Sequence, residues 1–280
     1  LMNSGLSSKI VDGGGTGIAT DSENNFVIVG HNTNNDIVVE KYSSTGSLLW
    51  SKTYGESLYD HAYDVSIDSS GNVYVAGFIT NATTSTSDLV LLKYYSNGNL
   101  VWNKTFSGKL NEKGYGVSVN EMGIFVTGSI SVGGGNEEGL LFKYDSNGNL
   151  VWNKTFSPVP QTRRNAVAVG SDGKIYITGQ VSSLSTRTGL LFYIHDQNGN
   201  VVSSHVLDTP LYESGNNIAV DSSGKVAIVG FKETTQGYDS WLLIYGVPES
   251  SSFSVSNNIP YYLSGSTGVW NPLDGTYIVT

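Results

Sequence analysis

A twelve-residue segment, SNGNLVWNKTFS, occurs twice without change, at Ser96–Ser107 and Ser146–Ser157. A weaker copy runs from Ser44 to Tyr54. Duplication at a period of about 50 residues restricts the fold to architectures that stack one supersecondary unit against copies of itself. A second motif, an apolar run closed by glycine, carries the same period: Phe26-Val-Ile-Val-Gly30, Tyr74-Val-Ala-Gly77, Phe125-Val-Thr-Gly128, Tyr176-Ile-Thr-Gly179 and Ala227-Ile-Val-Gly230. Tyr277-Ile-Val-Thr280 fits the frame with threonine for glycine, and the anchors are spaced 47, 51, 51, 51 and 50 residues apart.

Each repeat parses into four short strands. In the second they fall near Tyr63–Ile67, Val73–Ile79, Asp88–Tyr95 and Leu100–Phe106. Their β-branched and aromatic residues are bounded by Asp68-Ser-Ser-Gly71 and Ser96-Asn-Gly98 turns, whose Gly and Asn supply the positive φ of tight hairpins. No stretch keeps a helical period. The reading is an all-β protein, a β-propeller of six four-stranded antiparallel blades in a single domain over residues 1–280. Repeats are expected near 13–60, 61–112, 113–163, 164–214 and 215–264. The last blade is expected to combine 265–280 with 1–12, so that N- and C-terminal strands share it and close the ring.

Composition limits function. The 280 residues include 15 basic and 24 acidic side chains, a net charge of -9, which disfavours a nucleic-acid-binding face. There is no cysteine, which excludes a disulfide framework, zinc fingers, iron–sulfur clusters and a cysteine nucleophile. The longest apolar run, Trp241 to Val247, is far shorter than a membrane-spanning helix. The start, Leu1-Met2-Asn3, carries no secretory signal, so a secreted protein of this sequence is expected to have lost it already.

The repeat resembles the bacterial and archaeal β-propeller family known as the SBBP repeat. The residues that carry the likeness are Val65-Ser-Ile-Asp68-Ser-Ser-Gly71-Asn72-Val-Tyr74-Val-Ala-Gly77, then Leu89-Val-Leu-Leu-Lys93, then Asn97-Gly98-Asn99-Leu100-Val-Trp102. It covers about residues 15–245. The resemblance implies a secreted or surface-attached protein without a catalytic activity, and it brings no active site to carry over. The family name implies seven blades, against six counted here.

Catalytic motifs are absent: there is no Gly-x-Ser-x-Gly elbow, no His-Glu-x-x-His and no P-loop. The Asp-x-x-Gly loops at Asp68, Asp145, Asp196 and Asp221 each carry a single carboxylate, and are read as aspartates capping their own turns rather than calcium loops. The variable connections share one face, and any binding surface is placed there. Its candidate residues are His31, Asp36, Glu56, Asp60, His61, Glu112, Arg163, Arg164, Arg187, Glu213 and Tyr238. His31 and His61 are expected to converge with Asp36, Glu56 and Asp60, either as a metal site or as solvated loop residues. No metal and no cofactor are expected. Trp50, Trp102 and Trp152 recur in register and are read as packing between blades. Three sequons mark Asn81, Asn103 and Asn153 as glycosylation candidates.

These features lead to the expectation of a non-enzymatic extracellular or cell-surface propeller with a structural, adhesive or protein-interaction role. Strand donation into the incomplete last blade is a route to self-assembly. Partners would be surface proteins, copies of the chain or glycans, with no nucleic acid and no membrane span. The alternative is a secreted carbohydrate-binding or carbohydrate-active propeller.

Overall fold

The computed structural model describes residues 13–55, 58–108, 110–156, 161–182, 188–207, 212–234, 237–245, 261–263, 268–271 and 276–279. Every regular element among them is a strand. Blade one is β1 (Gly14–Thr20), β2 (Phe26–His31), β3 (Ile37–Tyr42) and β4 (Leu48–Tyr54). Blade two is β5 (His61–Ile67), β6 (Val73–Thr80), β7 (Ser87–Tyr94) and β8 (Leu100–Phe106). Blade three is β9 (Glu112–Asn120), β10 (Gly123–Gly133), β11 (Asn136–Tyr144) and β12 (Leu150–Phe156). Blade four is β13 (Gln161–Val169), β14 (Ile175–Ser182), β15 (Thr188–His195) and β16 (Val201–Leu207), joined to blade three by one parallel pairing, Glu137 with Gln161. Blade five is β17 (Glu213–Val220), β18 (Val226–Thr234), β19 (Gly237–Tyr245) and β20 (Tyr261–Leu263). The fold is therefore an all-β propeller of repeated four-stranded blades, and the chain divides into two compact units, Leu1–Tyr115 and Gly116–Thr280.

Among the described residues no sixth four-stranded blade forms. β21 (Gly268–Asn271) and β22 (Thr276–Val279) make their own two-stranded sheet, with Trp270 opposite Tyr277, so the sixth anchor is a hairpin and not a blade. The expected closing strand, residues 1–12, lies outside the described residues. Among the described residues the four-stranded blades number five, and blade five closes differently from the others. Tight Asn-Gly turns return the outer strand antiparallel in earlier blades, whereas residues 246–260 separate β19 from β20. A connection of that length permits a parallel return, and β20 pairs parallel to β19, Leu242 with Tyr261.

Burial follows strand position. In blade two, β6 is buried on both faces from Val73 to Phe78, while the outermost β8 alternates exposed and half-buried residues. The first unit's core gathers Val29, Val39, Val75 and Leu92. In the second unit Phe125, Leu141 and Leu191 form one cluster, and Phe192, Trp241 and Leu243 another.

Three local devices repeat. Asp68 Oδ1 accepts the backbone N–H of Ser70 and of Asn72, each at 2.9 Å, closing the turn that Gly71 enters at φ 78°. Asp145, Asp196 and Asp221 cap their turns in the same way. The recurrent tryptophan reaches the following blade: Trp50 Nε1 donates to the Ser96 carbonyl at 3.0 Å, and Trp152 Nε1 to the Gln197 carbonyl at 3.2 Å. The first strand of a blade bulges next to the residue paired with the anchor glycine. The extra residue turns sideways: Thr16 Oγ1 donates to the Ala62 carbonyl at 2.6 Å, and Asn165 Nδ2 to the Gly215 carbonyl at 2.9 Å.

Candidate functional site

The first unit holds a cavity of about 520 Å³ between blades one and two. Three carboxylates border it, each at an element's start. Asp36 precedes β3, Asp60 precedes β5, and Asp88 is the second residue of β7. Ladder register makes Asp36 and Asp88 equivalent, because each lies two residues ahead of the valine facing its blade's anchor glycine, Val38 opposite Gly30 and Val90 opposite Gly77. Asp60 is drawn to blade one by its backbone N–H, which donates to the Asn35 carbonyl at 2.7 Å. Thr53, Tyr54, Thr80, Thr83 and Asn81 complete the polar lining, which among the described residues contains no lysine, arginine or histidine.

Glycine brings two of the carboxylates together. Gly55 has φ 149°, where side chains are strained, and a β-carbon there would overlap Asp60 Oδ2 and stand 3.4 Å from Asp36 Oδ1. Asp60 is buried and accepts the Thr80 N–H at 2.7 Å. Asp36 Oδ2 accepts from Asn32 Nδ2 at 3.3 Å. Asp88 is only 4% exposed; Asn81 Nδ2 approaches its Oδ2 at 3.5 Å, while its Oδ1 is buried with no hydrogen-bond partner.

Glu112, at the start of β9, is fully buried. Burial pushes its pKa up, the Gly108 N–H at 2.8 Å opposes that, and the charge of Asp88 adds to the rise. Its Oε1 is unpartnered. Glu112 and Asp88 thus form a second acidic pair, one blade along from Asp36 and Asp60.

The expected histidine convergence takes a different form. His31 ends β2 and His61 begins β5, so both stand on strands and not in loops. Their rings lie 4.7 Å apart, among Tyr59, Tyr63 and Phe78, with Tyr63 against Tyr115 at 4.8 Å. Neither Nδ1 has a partner. Burial, then the His31 and Lys113 charges, pull the His61 pKa down to about 4, so the ring stays neutral at physiological pH. This aromatic cluster does not line the cavity. Among the described residues no three His, Cys, Asp or Glu side chains are grouped to hold a metal ion.

The remaining candidates are dispersed. Glu213 is buried in blade five and bonds Lys232 Nζ at 2.9 Å. Tyr238 is 64% exposed on β19, edge-on to Phe231 at 5.5 Å. Glu56 and Arg187 lie outside the described residues, as do the side chains of Arg163 and Arg164. Asn103 and Asn153 are exposed on β8 and β12, whereas Asn81 lines the cavity and accepts the Thr83 N–H at 2.9 Å. Asp88 escaped the sequence reading. The signal was its place before the aliphatic run Leu89-Val-Leu-Leu, matching Asp36 before Ile37-Val-Val.

A family model described as outer membrane protein assembly factor BamB matches residues 92–236. The match is to this model and not to the SBBP repeat, so the finer resemblance is not carried further. No curated protein sequence matches the chain. Among solved structures, the periplasmic gluconolactonase PpgL of Pseudomonas aeruginosa is 13% identical with a TM-score of 0.52, covering 94% of this chain and 77% of its own. A neuraminidase-like protein of a flat-faced bat isolate from Peru is 9% identical with a TM-score of 0.52, covering 81% of this chain and 69% of its own. Identities this low establish the fold alone. They still correct the expectation of a non-enzymatic, structural propeller. The folds that resemble this one include a gluconolactonase, so the architecture gives no ground for setting enzymatic activity aside.

Proposed function

We infer, for a chain that belongs to the family described as outer membrane protein assembly factor BamB, that it is a carbohydrate-active propeller whose site is the cavity of Asp36, Asp60 and Asp88. One observation carries the reading: a cavity of about 520 Å³ lined by three carboxylates, four hydroxyls and an amide. A sugar presents a ring of hydroxyl donors and acceptors, and carboxylates and amides on rigid elements are the groups that orient it. The volume accommodates a mono- or disaccharide unit. Paired carboxylates are also what cleavage of a glycosidic bond uses. One protonates the leaving oxygen, and the other attacks the anomeric carbon or draws the proton from the water that does. Asp36 and Asp60, closing on Gly55 from two blades, supply such a pair. A periplasmic or extracellular setting accords with this reading, supported by the family's description and by the periplasmic structural relative.

Calorimetric titration with a panel of neutral, acidic and amino oligosaccharides tests the reading. At least one is expected to bind, and Asp36→Asn and Asp60→Asn each weaken it by about tenfold, the effect of losing one charge-assisted hydrogen bond. A silent panel, or binding that ignores both substitutions, overturns it.

A further inference from the structure

We propose that the sugar taken by this cavity carries a protonated amine, and that the Asp88 carboxylate receives it: the substrate class is an amino sugar with a free amino group. The inference rests on the carbohydrate reading above and specifies its ligand.

The argument starts from Asp88. A buried carboxylate oxygen without a partner is costly, because it has left water and gained no donor in exchange. Asp88 Oδ1 is such an atom, in a residue 4% exposed that borders the cavity. Its other oxygen meets only the Asn81 amide, at 3.5 Å. Asp36 and Asp60 border the same space, and among the described residues no basic side chain lines it. Glu112, fully buried, adds its own unpartnered oxygen within electrostatic reach of Asp88. A hydroxyl donates one hydrogen bond and leaves the net charge of the cavity unchanged. An ammonium donates three and brings a positive charge to an acidic lining. Coulomb attraction in a partly dehydrated cavity strengthens that preference over its value in water.

Blade five shows how the same fold satisfies a buried acid internally. There Glu213 is answered by Lys232 from the neighbouring strand at 2.9 Å. In blade two His61 faces Phe78, and the next residue along that strand, Ile79, is an apolar part of the cavity lining. The chain supplies a cation in blade five, whereas at the cavity Asp88 Oδ1 has no partner among the described residues.

The test compares glucosamine oligomers, N-acetylglucosamine oligomers and glucose oligomers by calorimetry at pH 6, on the whole chain. The expected order is a preference of about tenfold or more for the free amine over both neutral series. Asp88→Asn is expected to abolish that preference while retaining weak binding of the neutral sugars, with its fold checked by circular dichroism. Asn153→Gln, on the exposed strand β12, leaves binding unchanged. If neutral and amino sugars bind equally, or if Asp88→Asn keeps the preference, the amine assignment is wrong and the carbohydrate reading survives. If no sugar binds, the carbohydrate reading itself has failed. Displacement of the amino sugar by millimolar calcium, with calcium alone giving the larger heat, would assign the carboxylates to a metal ion and also overturn the proposal.

Discussion

At the scale of single residues, buried charge separates support from function. Lys41 Nζ meets Asp21 Oδ2 at 2.8 Å, with both side chains nearly enclosed. Burial alone would push the Asp21 carboxyl up, but Lys41 and the bonds from Asn25 and Glu23 hold it down at about 2. A depressed carboxylate contributes stability that is present above the unfolded value near 4 and is lost as pH falls toward 2. Asp21→Asn leaves a buried, uncompensated ammonium and is expected to cost about 3 kcal/mol in urea unfolding at pH 7. His61 acts in the same direction for a different reason, since burial favours its neutral form. Its ring stays neutral in the fold down to about pH 4, while the unfolded chain protonates it near 6.5. Stability contributed by its neutral form is therefore lost as pH falls from about 6.5 to about 4, by up to about 3 kcal/mol. His61→Phe is expected to flatten that part of the pH–stability curve; an unchanged slope would contradict the burial account. The sequence made His31, His61, Asp36 and Asp60 legible as neighbours, because they fall in connections on one face. It did not separate them into an aromatic cluster and an acidic cavity, since that depends on which side of a strand end each residue takes.

At the scale of elements, the repeat fixed turns and strands, because their signals are local. Asp-x-x-Gly caps and Asn-Gly turns need only four or five residues to act. The bulge in each blade's first strand was not legible, since nothing in the local sequence marks Thr16 and Asn165 as the extra residue. The bulge nevertheless carries contacts between blades. Thr16→Val removes the donor to the Ala62 carbonyl, and Asn165→Ala removes the donor to the Gly215 carbonyl. Each is expected to lower stability by about 1 kcal/mol, against no measurable change for the exposed Asn103→Ala on β8. Equal effects at all three positions would remove the bulge from the account.

For the whole molecule, stability in a repeat protein is nearly a sum over units and their contacts with neighbours. The β21–β22 hairpin pairs no other described strand, and a two-stranded sheet of four-residue strands is marginal by itself. A chain ending at Leu263 is therefore expected to unfold in one transition, with a Tm within a few degrees of the full chain. A loss of cooperativity would make the hairpin part of the core. The blade count misled at this scale because an anchor motif reports a strand pair, and a pair becomes a blade only when further strands join it. Function was legible only in outline. The variable face was marked by its loops, but Asp88 acquires meaning through the ladder register that gives it the place Asp36 holds in the preceding blade.

The measurement that tests the central claim most directly is hydrogen–deuterium exchange with and without a saturating glucosamine oligomer. The account predicts slowed exchange confined to Asp36, Thr53–Gly55, Asp60 and Ile79–Asp88, the stretches that line the cavity. Protection elsewhere with these segments unchanged would contradict it.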